Sequence, residues 1–195
     1  MAEPTGTIRS VERAMRVLAR FSAQQPQWTV SDLARATGVH KSIITRLLAT
    51  MAREGFVAQD PVSRAYRVGP KAFAVGSAYR PHAILGQIAE PAMRRVTEQC
   101  GHATSIGTPA GAKFVYLLVH DSASPIRVVA NVGEERDYHA NATGKVLLAG
   151  MAGVEARNII GTGPLPRHTP HTITAVPDLL AELGRVRDAG VAYNR

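Results

Sequence analysis

From Ser10 onward, apolar positions recur at helical spacing. Val11, Ala14, Met15, Leu18 and Phe21 form one stripe and predict a helix from Val11 to about Ser22, with Ser10 as its cap and Pro26 beyond its end. Trp28 and Val30 are expected to pack the turn that follows. A second helix, capped by Ser31 or Thr29, carries Leu33, Ala34 and Thr37 and leads to Val39. Ile44, Leu47, Leu48 and Met51 then repeat at i, i+3, i+4 and i+7, one face of a third helix. Gly38 stands at the corner, where the chain must turn and a positive φ is tolerated only by glycine. Ala34, four residues earlier, is small enough for close helix crossing. Two short helices about a tight corner describe a helix-turn-helix, whose second helix enters the DNA major groove.

The spacing then changes. Phe56–Gln59 and Ala65–Val68 are two short β-prone runs around Asp60-Pro61-Val62-Ser63-Arg64, a hairpin in the position of a wing. Gly69-Pro70 opens a small-residue helical run, read as a linker helix with its boundary near Pro81. Beyond it, Ile88, Ala92, Val96 and Cys100 share a stripe on a helix from Ile84 to Gln99. Ala103–Thr108 and Lys113–Val119 flank a turn at Pro109–Ala112, and Ile126–Val132 reads as a third strand. Thr143–Ala149, Val154–Ile160 and Pro177–Ala189 read as helices, the last with Gly190 past its end. The expected fold class is α+β: residues 8–69 as a winged helix-turn-helix, 70–82 as a linker helix and 83–195 as a mixed α/β sensing domain.

Charge sharpens the picture. The chain carries 23 Lys and Arg against 15 Asp and Glu, a net of +8. Residues 1–80 hold 12 basic and 5 acidic side chains, net +7, whereas residues 81–195 hold 11 and 10, net +1. Excess positive charge confined to the part with the helix-turn-helix is the footprint of a nucleic-acid binder. It also argues against the rival reading, a small-molecule-binding or enzymatic α/β protein with an accessory helical domain. Off the apolar stripe, Lys41, Ser42, Thr45, Arg46, Ala49 and Arg53 offer cations and hydroxyls, with no carboxylate before Glu54. Such groups suit phosphates and base-edge acceptors. Arg64 and Arg67 would bring two more cations to flanking DNA. The alternative for Arg64 is a solvated turn residue.

The ordered stretches TIRSVERAMRVLARFS and WTVSDLARATGVHKSIITRLLATMAREGFVAQDPVSRAYRVGPKAFAVGSAY resemble the IclR-type bacterial transcriptional regulators. So do PAMRRVTEQCGHATSIGTPAGAKFVYLLVHDSASPIRVVANVGEERDYHANATGKVLLAG and LPRHTPHTIT with the helix ending near DAGVAYNR. The resemblance implies a GAF-like effector domain, control by a small organic or aromatic acid, a homodimer or homotetramer on double-stranded DNA, and no cofactor. Direction of control, repression or activation, stays open. It places Asn141, Ala142, Thr143 and Gly144 in the effector pocket; the other reading of these small residues is a helix start that needs close packing. Two places depart from the family pattern. Ile43 replaces a small hydroxyl residue near the DNA-facing side, where it could touch a thymine methyl or widen the core stripe. Asn194-Arg195 replaces an acidic pair. The resemblance further implies more strands and a helix after Arg195, so the second domain is expected to be C-terminally incomplete.

Other chemistry is weakly supported. Val146 stands where a phosphate-binding loop needs Ser or Thr, and Pro166 where a dinucleotide fingerprint needs its third Gly. No G-x-S-x-G is present. His168 and His171 have the spacing of a metal pair, but lie between prolines with no Cys or acid nearby in sequence, and read as surface histidines. Cys100, the one cysteine, excludes an intrachain disulfide and fits a reducing compartment; it reads as helix-end packing. The opening MAEPTGTIRS lacks the apolar core of a signal peptide and no run is long enough to span a membrane, so a cytoplasmic protein is expected.

Overall fold

The computed structural model describes residues 6–122 and 130–194, with the side chains of residues 80–84 outside that description. The chain divides into two compact units, Met1–Ala83 and Ile84–Arg195.

The first unit contains α1 (Arg9–Leu18), β1 (Gln27–Trp28), α2 (Val30–Thr37), α3 (Lys41–Arg53), β2 (Val57–Gln59), β3 (Tyr66–Val68) and α4 (Pro70–Ser77). Its core is Val17, Leu33, Ile44, Leu48, Met51, Val57 and Tyr66. Leu47 and Ala34 pack against it half-buried. The α3 stripe therefore faces inward as its spacing requires. On α1 the spacing misleads: Val17 is fully buried, while Val11 and Met15 are 51% and 55% exposed. Ser10 lies inside α1, which begins without a side-chain cap. Thr29, not Ser31, caps α2: its Oγ1 accepts from the Asp32 backbone N–H at 3.2 Å and donates to Asp32 Oδ2 at 2.7 Å. Gly38 closes α2 at φ 68°, the left-handed conformation that the corner demands.

β1, β3 and β2 form an antiparallel sheet with β3 in the centre. The wing is fastened at its base. The Gly69 N–H donates to Phe56 O at 2.8 Å, and the Lys71 N–H donates to Gly55 O at 3.2 Å. A Cβ at Gly69 would lie 2.3 Å from Gly55 O, so only glycine permits this approach.

The second unit holds the long helix α5 (Arg80–Cys100), β4 (Thr104–Ala110), β5 (Lys113–His120), β6 (Glu135–Arg136), a 3-10 turn at Tyr138–Ala140, α6 (Ala142–Gly150), α7 (Gly153–Ile160) and α8 (Val176–Ala189). The strands pair antiparallel in the order β4-β5-β6, with an irregularity at Ile106/Gly107. Phe114, Tyr116, Tyr138, Leu148, Ile160, Leu179, Leu183 and Val186 make its core.

The boundary expected near Pro81 falls between Ala83 and Ile84. Pro81 itself lies in the first turn of α5, where a proline lacks only an N–H that would be unpaired anyway. One expectation needs correction. The stripe expected to be buried on α5 faces solvent, with Ile88 73% and Val96 47% exposed, and Cys100 is exposed. Met93 and Thr97 are buried instead, with Thr97 Oγ1 bonded to Thr104 Oγ1 at 3.0 Å. The strand expected at Ile126–Val132 lies largely outside the described residues; the third strand of the described sheet is Glu135–Arg136, too short to carry a periodic signal.

Candidate nucleic-acid interface and effector site

α3 starts on a cap that its sequence hides. His40 Nδ1 accepts from the Ser42 backbone N–H at 3.3 Å and lies 2.8 Å from Ser42 Oγ. The exposed face of the helix then presents Lys41, Ser42, Thr45, Arg46, Ala49 and Arg53. Thr45 Oγ1 donates to Lys41 O at 3.0 Å, so its oxygen remains able to accept. Lys41, Arg46, Arg64 and Arg67 form no ion pair among the described residues, whereas Arg53 meets Glu54 at 3.4 Å. Ile43 differs from its neighbours. It is half-buried and lines a groove of about 610 Å³ between α1 and α3 with Val11, Met15 and Leu47, bordered by Arg46.

The wing turn is built around Asp60. Its Oδ1 accepts from the Ser63 N–H at 2.7 Å, the Ser63 hydroxyl at 2.8 Å and the Val62 N–H at 3.1 Å. The Ser63 backbone and hydroxyl bonds hold the Asp60 carboxyl below the usual carboxylate range, with a further contribution from the Arg67 charge. Arg64 sits at φ 59°, the one non-glycine residue at positive φ among those described. Gln59 Nε2 donates to Arg64 O at 2.9 Å, across the turn. Arg64 and Arg67 are both exposed.

In the second unit, Asn141–Gly144 form the junction into α6, and Asn141 does not cap the helix with its side chain. Its Oδ1 accepts from the Tyr116 hydroxyl at 3.3 Å. This contact brings Tyr116 beside the candidate residues, a neighbour that the sequence reading does not single out, although Phe114 and Tyr116 alternate on β5 and share its inward face. Their rings meet edge to face at 5.2 Å. A Cβ at Gly107 would lie 2.9 Å from both Phe114 Cδ2 and Thr143 Cγ2, so a glycine on β4 lets the start of α6 come close. Gly144 is buried, and a Cβ there would lie 2.3 Å from Tyr138 O. Gly144 thus has a packing requirement of its own. Asn141, Ala142 and Thr143 are half-buried.

Tertiary structure also brings an acid to the histidine pair. His168 Nε2 lies 2.7 Å from Asp137 Oδ2, and Lys113 Nζ lies 3.5 Å from Asp137 Oδ1. His168 and His171 are exposed, and no set of residues that could hold a metal ion occurs among the described residues. Among those residues no helix is long and apolar enough to cross a membrane.

The chain matches two family descriptions, "IclR helix-turn-helix domain" over residues 10–61 and "Bacterial transcriptional regulator IclR C-terminal" over residues 78–195. It is 29% identical over 193 residues to the HTH-type transcriptional regulator BhcR of Paracoccus denitrificans, covering 99% of this chain and 69% of that protein. It is 29% identical over 196 residues to the HTH-type transcriptional repressor AllR of Salmonella typhi, covering 100% and 72%. A crystal structure of an IclR-type regulator from a Silicibacter species superposes with a TM-score of 0.80 at 25% identity, covering 91% of this chain and 70% of that one. An IclR homologue from Microbacterium hydrocarbonoxydans, solved with 4-hydroxybenzoate, shares the fold with a TM-score of 0.74 at 24% identity, covering 93% and 75%. A winged helix-turn-helix with an unpaired cationic face, followed by an α/β unit, agrees with both matches: the chain belongs to the IclR family of bacterial transcriptional regulators.

Proposed function

We propose that this regulator reads its operator with Lys41, Ser42, Thr45 and Arg46 of α3, and that Arg64 and Arg67 of the wing hold flanking phosphates or the minor groove. The observation that carries this reading is the exposed face of α3, which offers cations and hydroxyls free of carboxylate partners up to Arg53. Cations without internal partners exchange counterions for phosphates, and side-chain hydroxyls suit base edges. Ile43 serves the groove beside the helix.

The protein acts on DNA as a homodimer or homotetramer, because one recognition helix spans few base pairs and paired half-sites multiply its contacts. The apolar groove between α1 and α3, with Val11 and Met15 about half exposed, supports an association surface on the first unit. Asn141, Ala142 and Thr143, with Tyr116 behind them, contribute to the pocket for a small organic or aromatic acid; Gly144 supports that pocket through close packing. Binding of such an acid shifts DNA affinity only to the extent that it favours one of two conformations. The setting is the cytoplasm.

The test is the salt dependence of operator binding. Removing one cation that touches a phosphate should lower the slope of log K against log salt by about 0.9. Arg46→Ala is expected to lower both slope and affinity; unchanged values for Arg46→Ala would remove α3 from the interface.

A further inference from the structure

We infer that the hydroxyls of Ser42 and Thr45 meet DNA as hydrogen-bond acceptors only, so that α3 selects the exocyclic amino groups of adenine or cytosine, and that His40 fixes this polarity at Ser42. This rests on α3 being the helix that enters the groove, as proposed above.

The polarity follows from where each hydroxyl proton goes. The Ser42 backbone N–H donates to His40 Nδ1 at 3.3 Å, the cap of α3. A ring nitrogen that accepts an N–H carries no proton of its own, so the neutral imidazole holds its proton on Nε2. Ser42 Oγ lies 2.8 Å from the same Nδ1. With no proton on that nitrogen, the hydroxyl is the donor. Thr45 Oγ1 spends its own proton on Lys41 O at 3.0 Å. A hydroxyl has one proton and two lone pairs, so both oxygens can still accept from a base edge and neither can donate to one.

These two oxygens stand where bases are met. At helical spacing, Ser42, Thr45 and Ala49 fall along the middle of the exposed face, with Lys41 on one side and Arg46 on the other. Short neutral side chains in the middle let the helix approach base edges, while the longer cations reach the phosphates that border the groove. Thr50 also donates to a backbone carbonyl, Arg46 O at 3.0 Å, but it lines the groove against α1. In the major groove, adenine N6 and cytosine N4 donate, whereas purine N7, guanine O6 and thymine O4 accept. Acceptor-only hydroxyls match the first set and oppose lone pairs in the second. His40 is a positioning residue in this scheme. Without an acceptor at position 40, the Ser42 proton is released and its hydroxyl can donate to guanine.

The experiment starts with operators that the whole chain selects from a random double-stranded pool. In a selected operator each adenine is replaced in turn by purine and each cytosine by 2-pyrimidinone, which lack the amino group. Guanines are replaced by 7-deazaguanine or 2-aminopurine, which lack the N7 or O6 acceptor. Affinities are compared for the parent, Ser42→Ala and Thr45→Val, so that any weakening of the duplex itself cancels in the cycle. Loss of one amino group should weaken the parent by about two- to tenfold, the worth of one neutral hydrogen bond, and leave Ser42→Ala unaffected. A second amino group should couple in the same way to Thr45. His40→Asn, whose amide oxygen still accepts, should keep the parent's preference at the Ser42 position. His40→Ala should move that preference toward guanine and leave the Thr45 position as it was. Coupling of either hydroxyl to N7 or O6, or failure of either to couple to an amino group, would overturn the inference. So would a His40→Ala variant that weakens all operators alike, the mark of a cap with no part in polarity. Arg46→Ala separates such failures from failure of the interface: if it still lowers affinity and salt slope, α3 remains in the groove and only the polarity falls.

Discussion

The two units differ in what their exposed cations meet. On the first, Arg16, Arg35 and Arg53 pair with nearby acids, whereas Lys41, Arg46, Arg64 and Arg67 stand in solvent and form no ion pair among the described residues. On the second, Lys113, Arg136, Lys145 and Arg185 meet carboxylates, and Arg167 and Arg187 bond to backbone carbonyls. Residue type is the same in both places; what differs is whether the fold has already supplied the anion. A cation satisfied internally positions loops and helices, while one left unsatisfied is available to a phosphate from outside. Net charge near zero in the second unit and +7 over residues 1–80 is the sequence-level trace of that division.

The largest expected effects separate folding from readout within this contrast. Leu48→Ala and Phe114→Ala remove fully buried side chains, one from each core, and should cost about 2–5 kcal/mol each in urea unfolding. Arg46→Ala should leave the urea midpoint near that of the parent. If Arg46→Ala melts the first unit as strongly as Leu48→Ala, the cation is structural and the contrast collapses. Gly144→Ala comes next. Its new Cβ would overlap Tyr138 O, so about 1–3 kcal/mol should be lost from the second unit, with operator affinity of the folded fraction retained. Thr29→Ala removes a cap and should destabilise the first unit by about 1 kcal/mol, while Ser31→Ala should do less. Equal losses from the two would mean that the cap is not at Thr29.

The smallest effect is one of pH. Burial pushes the Asp137 carboxyl up, but the His168 hydrogen bond, Lys113 and the two imidazole charges outweigh it and hold the carboxyl below its ordinary value. A folded value below the unfolded one stabilises the unit above the unfolded value, about 3.9, and that contribution is lost as pH falls through the folded value. Urea midpoints of the parent should therefore drop more between about pH 5 and 2 than those of Asp137→Asn. Parallel curves would show that Asp137 contributes nothing to the pairing of charges in the second unit.

What could be read from sequence follows the same divide. Ile44, Leu48 and Met51 are buried and Lys41, Thr45 and Arg46 exposed because one amphipathic helix encodes both faces in its period. α5 defeats that logic. It carries two stripes offset by one residue, and the buried one includes Thr97, which is acceptable inside only because Thr104 from β4 meets it. The approach of Asp137 to His168, 31 residues apart, likewise depends on how the loop before α8 folds back. Tyr116 behind Asn141 follows from strand alternation on β5, yet its partner lies 25 residues away. Local periodicity was legible; polar partners separated along the chain were not.

The fastening at Gly55 and Gly69 has a mechanical meaning. Because the Gly69 and Lys71 N–H groups hold the chain at Phe56 and Gly55, the wing is a loop shut at its neck, and the first turn of α4 is tied to the chain leaving α3. A glycine at 69 removes the bulk that would otherwise hold the two backbones apart. These two hydrogen bonds give a torque on α4 a direct backbone route to the chain leaving α3, one that bypasses the tip of the hairpin.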